Sequence, residues 1–115
     1  MSEFGILVRD AVPKPDGTME IGVVGPITQA TTPALRRLLL RLIDAGPHPP
    51  VRLRLDLTCC SAINVDGMLA LSVAQEAARV RGGDLLLVQV PPLIARQLRQ
   101  HNFDGLVRDA TTEPR

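Results

Sequence analysis

The sequence predicts a small α/β sandwich, a mixed sheet of four to five strands with helices in the order β-β-α-β-α-β-α(-β). Three observations predict it. Apolar and charged residues alternate from Val51 to Leu57, the period of a strand with one buried side. Leu35, Leu38, Leu39 and Leu42 recur at i, i+3, i+4 and i+7, the spacing of one buried helix face. Strand-type and helix-type segments then alternate along the chain, which implies parallel crossovers.

Each element has its own local signals. Gly5 to Val12 reads as a first strand, with Ile6, Val8 and Ala11 facing inward. Pro13-Lys14-Pro15-Asp16-Gly17 is a turn, because Asp-Gly supplies the backbone freedom a chain reversal needs. Met19 to Gly25 returns as a second strand, antiparallel to the first. Thr32-Pro33 opens a helix, with a hydroxyl as N-cap and proline at the first position. Gly46-Pro47 stops that helix near Ala45. The third strand, Val51 to Leu57, turns Leu53, Leu55 and Leu57 inward and Arg52, Arg54 and Asp56 outward.

A second helix runs from Asp66 to Arg81, with Leu69, Val73, Ala77 and Val80 as its buried stripe, and Gly82-Gly83 ends it. Asp84 to Val90 contains the run Leu85-Leu86-Leu87-Val88, the pattern of a strand covered on both faces. Pro91-Pro92 precedes a short helix carrying Leu93, Ile94 and Leu98. Leu106-Val107-Arg108 is a candidate edge strand. The length of 115 residues suits one domain over 1–108, followed by a flexible C-terminal tail over 109–115.

Composition narrows the function. The chain has 13 basic and 12 acidic residues, for a net charge of +1, with two Phe and neither Tyr nor Trp. That leaves no electrostatic footprint and few stacking platforms for nucleic acid. No apolar run approaches the roughly 20 residues that span a bilayer. The N-terminus lacks the basic and apolar regions of a signal peptide. A cytoplasmic protein without membrane insertion is expected. Cys59 and Cys60 are adjacent and have no third Cys to join them, so free, buried thiols are expected and no metal site. No nucleophile elbow, P-loop or dinucleotide fingerprint occurs, so no catalytic residue, cofactor or enzymatic role is expected. His48 lies in a proline-rich loop and His101 near a helix end, and neither is assigned a role. Arg36, Arg37 and Arg41 make a basic stripe, read first as a solvated face and second as a docking surface.

Asp56-Leu57-Thr58, a short loop, and then Asn64-Val65-Asp66-Gly67-Met68 at a helix start resemble the central motif of the STAS domain family, in particular its anti-sigma factor antagonists. Three further segments are similar in order and spacing: Gly25 to Leu35, Arg81-Gly82-Gly83-Asp84-Leu85, and Leu98 to Val107, with Asn102 in the place of a glycine. The resemblance implies a STAS-like sandwich and a regulatory module that binds an anti-sigma factor of the histidine-kinase-like ATPase family. It implies a partner-binding surface of Thr28, Ser61, Asn64, Val65, Asp66, Gly67 and Met68. It also implies a phospho-acceptor at position 65. Val65 has no hydroxyl, so the usual switch is absent there. Thr58 and Ser61 are the nearest alternatives, although each reads first as a loop-capping group. Asp66 reads as a helix cap or as a fixed negative charge partly imitating a phosphoserine. A homodimer is a further partner arrangement, and an accessory subunit of a lipid or small-molecule ABC transport complex is the alternative function.

Overall fold

Residues 7–8, 12–13, 18–44 and 52–107 are described by a computed structural model of the chain. The five strands are β1 (Leu7–Val8), β2 (Val12–Pro13), β3 (Thr18–Val24), β4 (Arg52–Cys59) and β5 (Asp84–Val88). The helices are α1 (Thr32–Asp44), α2 (Val65–Val80) and α3 (Pro92–Gln100), followed by a 3-10 turn over Asp104–Leu106. One sheet runs in the order β1-β3-β4-β5, with β2 also paired to β3. The first two strands are antiparallel to β3, while β3, β4 and β5 are mutually parallel. The α/β sandwich expected from the sequence is therefore present.

The described parts of the expected first strand pair in two registers that differ by one residue: Leu7 with Val24 and Val8 with Val23, then Val12 with Glu20 and Pro13 with Met19. Pro13, expected in the turn, thus belongs to a strand. Lys14 to Gly17, Gly46-Pro47, His48, and the tail over 109–115 lie outside the described residues.

Alternation decides the sheet's two faces. Ile21 and Val23 of β3, Leu53, Leu55 and Leu57 of β4, and Leu85 and Leu87 of β5 are buried in one cluster. Leu35, Leu39 and Ile43 of α1, Leu71 and Ala74 of α2, and Ile94 and Leu98 of α3 join the same cluster. Each large aliphatic side chain so buried stabilises by about 1.5–3 kcal/mol relative to exposure. The opposite face carries Arg54, whose guanidinium meets the Asp84 carboxylate at 2.7 Å. This corrects the reading of β5 as covered on both faces. It ends the sheet order, and Leu86 and Val88 are only partly buried because they lie on the charged side, opposite Arg54 and Asp56.

The helix stops follow the expected chemistry. Gly82 takes φ 89° after α2, with its N–H donating to the Arg79 carbonyl and that of Gly83 to the Ala78 carbonyl. Asn102 takes φ 64° after α3, and the N–H groups of Asn102 and Phe103 donate to the carbonyls of Arg99 and Leu98. Both are Schellman ends.

Two further expectations fail. Leu106 is 2% exposed and closes the 3-10 turn in place of an edge strand, because its side chain is drawn into the core; Arg108 is not among the described residues. The stripe expected to be buried on α2 is also wrong. Leu69, Val73 and Val80 are 50%, 54% and 77% exposed, and Ala77 is half-buried. The buried side instead presents Gly67, Met68, Ala70, Leu71, Ala74, Gln75 and Ala78. Small residues there let the helix approach its neighbours closely, while the larger aliphatics point outward.

Candidate protein-docking site

Because β3, β4 and β5 are parallel and each is followed by a helix, the N-terminal ends of α1, α2 and α3 gather at the carboxyl end of the sheet. Open α/β sheets commonly bind their ligands at that end. Here the loops after β3 and β4 are stitched to each other. The Gly25 N–H donates to the Cys59 carbonyl, that of Ile27 to Ala62, and that of Asn64 to Ile27, at 3.0, 2.8 and 3.0 Å. Gly25 takes φ 100°, a conformation that favours glycine and starts the first loop.

Side chains then fix each loop from inside. Thr31 is 1% exposed; its hydroxyl accepts from the Thr28 N–H and donates to the Pro26 carbonyl. Thr32 does not cap α1 as expected. Its hydroxyl donates back to the Thr28 carbonyl at 2.6 Å, and Thr31 supplies the carbonyl that receives the helix's first bond, from the Leu35 N–H. In β4 the register against β3 shifts between Gly22 and Val24. The Asp56 carboxylate accepts from both the N–H and the hydroxyl of Thr58 at this irregularity. The Thr58 hydroxyl is thus engaged at the irregularity within β4, where the sequence reading expects a loop-capping group. The Ser61 side chain is exposed and makes no hydrogen bond among the described residues.

At the entrance of α2, Asn64 is the N-cap: its side-chain oxygen accepts from the Gly67 N–H at 2.9 Å. This corrects the assignment of the cap to Asp66, since the helix begins one residue earlier than expected. Asp66 sits in the first turn, exposed, where the helix dipole favours its charge, and it has no bonded partner among the described residues. Val65 opens the helix and is 40% exposed. Gly67 and Met68 are buried, which corrects their place on a contact surface: both hold the entrance from behind. A Cβ at Gly67 would come within 2.5 Å of Ile27 Cγ2, so α2 touches the β3–α1 loop at a distance only glycine permits. Beside the entrance lies an open groove of about 250 Å³ lined by Gln29, Thr32, Pro33, Arg36, Asp66 and Ala70. Thr28 is half-buried in the same loop.

The two cysteines separate. Cys60 is buried, and burial pushes its thiol above the usual 9.0. Cys59 is exposed, contrary to expectation, because it ends β4 on the outward side. No cluster of His, Cys, Asp or Glu able to hold a metal occurs among the described residues. His101 and all three arginines of the α1 stripe are exposed. Sequence reasoning passed over Thr31 and Gln75, two buried polar residues whose hydrogen bonds no local pattern announces. The stripe that the sequence turns inward on α2 is its outward ridge.

A stitched loop pair, a capped and exposed helix entrance and an open groove beside it make up the site of a small α/β domain. The comparisons place it further. A profile of the STAS domain matches residues 11–114, and the chain belongs to that family, whose domains are regulatory and binding modules. Among solved structures it is similar to an anti-sigma factor antagonist from Mycobacterium paratuberculosis, with 24% identity over 89% of this chain and 80% of that one, at a TM-score of 0.68. It is also similar to the anti-sigma factor antagonist SpoIIAA in its unphosphorylated form, with 15% identity, 93% and 90% coverage and a TM-score of 0.65. A sulfate transporter family protein from Wolinella succinogenes matches with 24% identity, 81% and 77% coverage and a TM-score of 0.66. These likenesses are of fold. No curated protein sequence matches the chain. No described helix is long and apolar enough to cross a membrane.

Proposed function

We propose that the chain is a cytoplasmic, non-enzymatic anti-sigma factor antagonist that binds a kinase-type anti-sigma factor and so controls sigma-factor release. Its contact surface is Thr28, Ser61, Asn64, Val65 and Asp66. One observation carries the reading: Val65 and Asp66 stand exposed on a helix entrance that the Asn64 cap and the Gly67 contact hold rigidly. A rigid, solvent-facing patch forms an interface without a large ordering cost. No residue from Asn64 to Gly67 carries a hydroxyl, so a bound kinase has no acceptor there. The antagonist stays competent where a serine-bearing one is switched off by a phosphoserine of about −1.5 to −2 charge.

The test is capture of a purified histidine-kinase-like anti-sigma factor by the wild type and by Asp66→Ala in the presence of ATP. Binding by the wild type, weakened in the variant, with no phosphate gained by mass spectrometry, is the expected result. Phosphate on Ser61, whose hydroxyl makes no hydrogen bond among the described residues, would move the switch to that residue. Failure to bind any kinase of that type would overturn the reading. The fold likeness to a sulfate transporter family protein favours a second reading, an accessory domain of a transport complex. Capture of a transport ATPase in place of the kinase would support it.

A further inference from the structure

The outward side of α2 carries a row of exposed apolar residues among charged ones. Val65, Leu69 and Val73 follow one another at four-residue steps and Ala77 continues the row, with Val80 beside its end at 77% exposure. Such a row is one of the ridges by which helices pack against each other. Helices normally place polar residues where these large aliphatics stand exposed.

We propose that this ridge is the interface of an antiparallel homodimer, α2 against α2, with Val73 on the two-fold axis. An isologous contact requires a surface complementary to itself, and this ridge meets the requirement in size and in charge. With Val73 facing its own copy, Leu69 lies opposite Ala77, a large residue against a small one. Val65 and Asp66 at one end then lie opposite Val80 and Arg81 at the other. Asp66 has no bonded partner among the described residues. Among the described residues the Arg81 side chain has one ion contact, an exposed one of 3.7 Å to Asp44, so both can meet across the dimer. Glu76 is exposed on the same side, three residues from Val73 and four from Val80, so each copy also brings a carboxylate to the contact. A parallel pairing would set Asp66 against Asp66, and like charges select against it.

The ridge exposes on the order of a few hundred Å² per copy, the size of the largest patch a monomer carries. That is less than the roughly 800 Å² per partner of a standard interface. The dimer is consequently reversible and concentration-dependent. In the reading proposed above it also covers Val65 and Asp66, so self-association and kinase binding exclude each other.

Sedimentation of the purified chain alone tests the dimer without reference to any kinase, so the two proposals fail separately. The wild type is expected to pass from monomer to dimer mass as concentration rises. Val73→Glu, Asp66→Arg and Arg81→Asp are each expected to stay monomeric. Mixing Asp66→Arg with Arg81→Asp restores both charge contacts in a heterodimer, and the dimer mass should return, which also shows that both variants are folded. A wild type that is monomeric at every concentration would overturn the proposal. So would charge variants that dimerise unchanged, or a mixture that remains monomeric.

Discussion

Replacing Gly67 by alanine sets two effects of opposite sign against each other. Alanine is a better helix former than glycine by about 1 kcal/mol at an interior position, and Gly67 lies in the first turn, so the gain is at most of that size. Against it stands the new methyl, which would sit 2.5 Å from Ile27 Cγ2, 3.3 Å from Ile63 Cγ1 and 3.4 Å from the Ile27 carbonyl oxygen. None of these can yield easily. Ile27 is 0% exposed, and its backbone is paired in the bridge to Ile63. Its Cγ2 is fixed on a β-branched carbon with restricted rotation. Forcing a methyl into such a contact costs about 1–3 kcal/mol or more, so the steric effect wins. The variant should lose about 1–2 kcal/mol, readable as a fall of roughly 4–8 °C in Tm or a lower urea midpoint at unchanged slope. Gly105→Ala is the control, since a Cβ there meets nothing within 4 Å, and it should change stability by no more than about 0.5 kcal/mol. If Gly67→Ala instead raised the midpoint, the close approach of α2 to the β3–α1 loop would be wrong, and with it the rigidity assigned to the entrance.

Four further expectations follow from single residues. Asn64→Ala should cost about 1 kcal/mol in urea unfolding, because it removes the cap bond to Gly67; Asp66→Ala removes only a dipole contribution of about 0.3–1 kcal/mol. Gln75→Leu should cost about 1–3 kcal/mol, since the Gln75 side-chain amide donates to the Leu85 and Gly105 carbonyls at 2.9 and 3.1 Å and both would lose that donor. A thiol reagent at neutral pH should label one cysteine, Cys59, in the folded chain and two after unfolding. The Cys60 thiol is raised above 9.0 by burial, so above that pH the unfolded chain releases a proton that the folded chain keeps. Stability is therefore expected to fall as pH rises beyond 9.0, and Cys60→Ala should flatten that fall.

The elements that were legible in the sequence are those in which one signal speaks alone. The strict alternation of Leu53, Leu55 and Leu57 with charged residues could only be a one-sided strand, and Gly82 and Asn102 stand where the helix ends require a left-handed residue. Helix α2 was misread because two signals compete there. Its buried side is made largely of glycine and alanine, which carry little hydrophobic weight, and its exposed side carries leucine and valine. Periodicity ranks faces by apolar mass, so it selected the outer one. Close packing ranks them by the distance of approach, which no single sequence displays. The cap was misplaced for a related reason: Asn64 and Asp66 are both good capping residues, and only the backbone of Asn64, extended at φ −109° and ψ 178°, settles which one precedes the helix.

That inversion on α2 bears on the site as well as on the fold. A chain under no demand at its surface would place polar residues where Val65, Leu69, Val73 and Val80 stand, because exposed valines weaken helix propensity and exposed aliphatic residues of either kind weaken solubility. Val65 belongs to this row and to the helix entrance at once. Its side chain is therefore accounted for by contact, without reference to the hydroxyl that a phospho-acceptor would need. Val65→Ser would remove one end of the ridge while supplying that hydroxyl. The two roles then separate: loss of self-association would follow from the missing methyls, and sensitivity to ATP from the added oxygen. A serine variant that kept full self-association would leave the valine unexplained by contact.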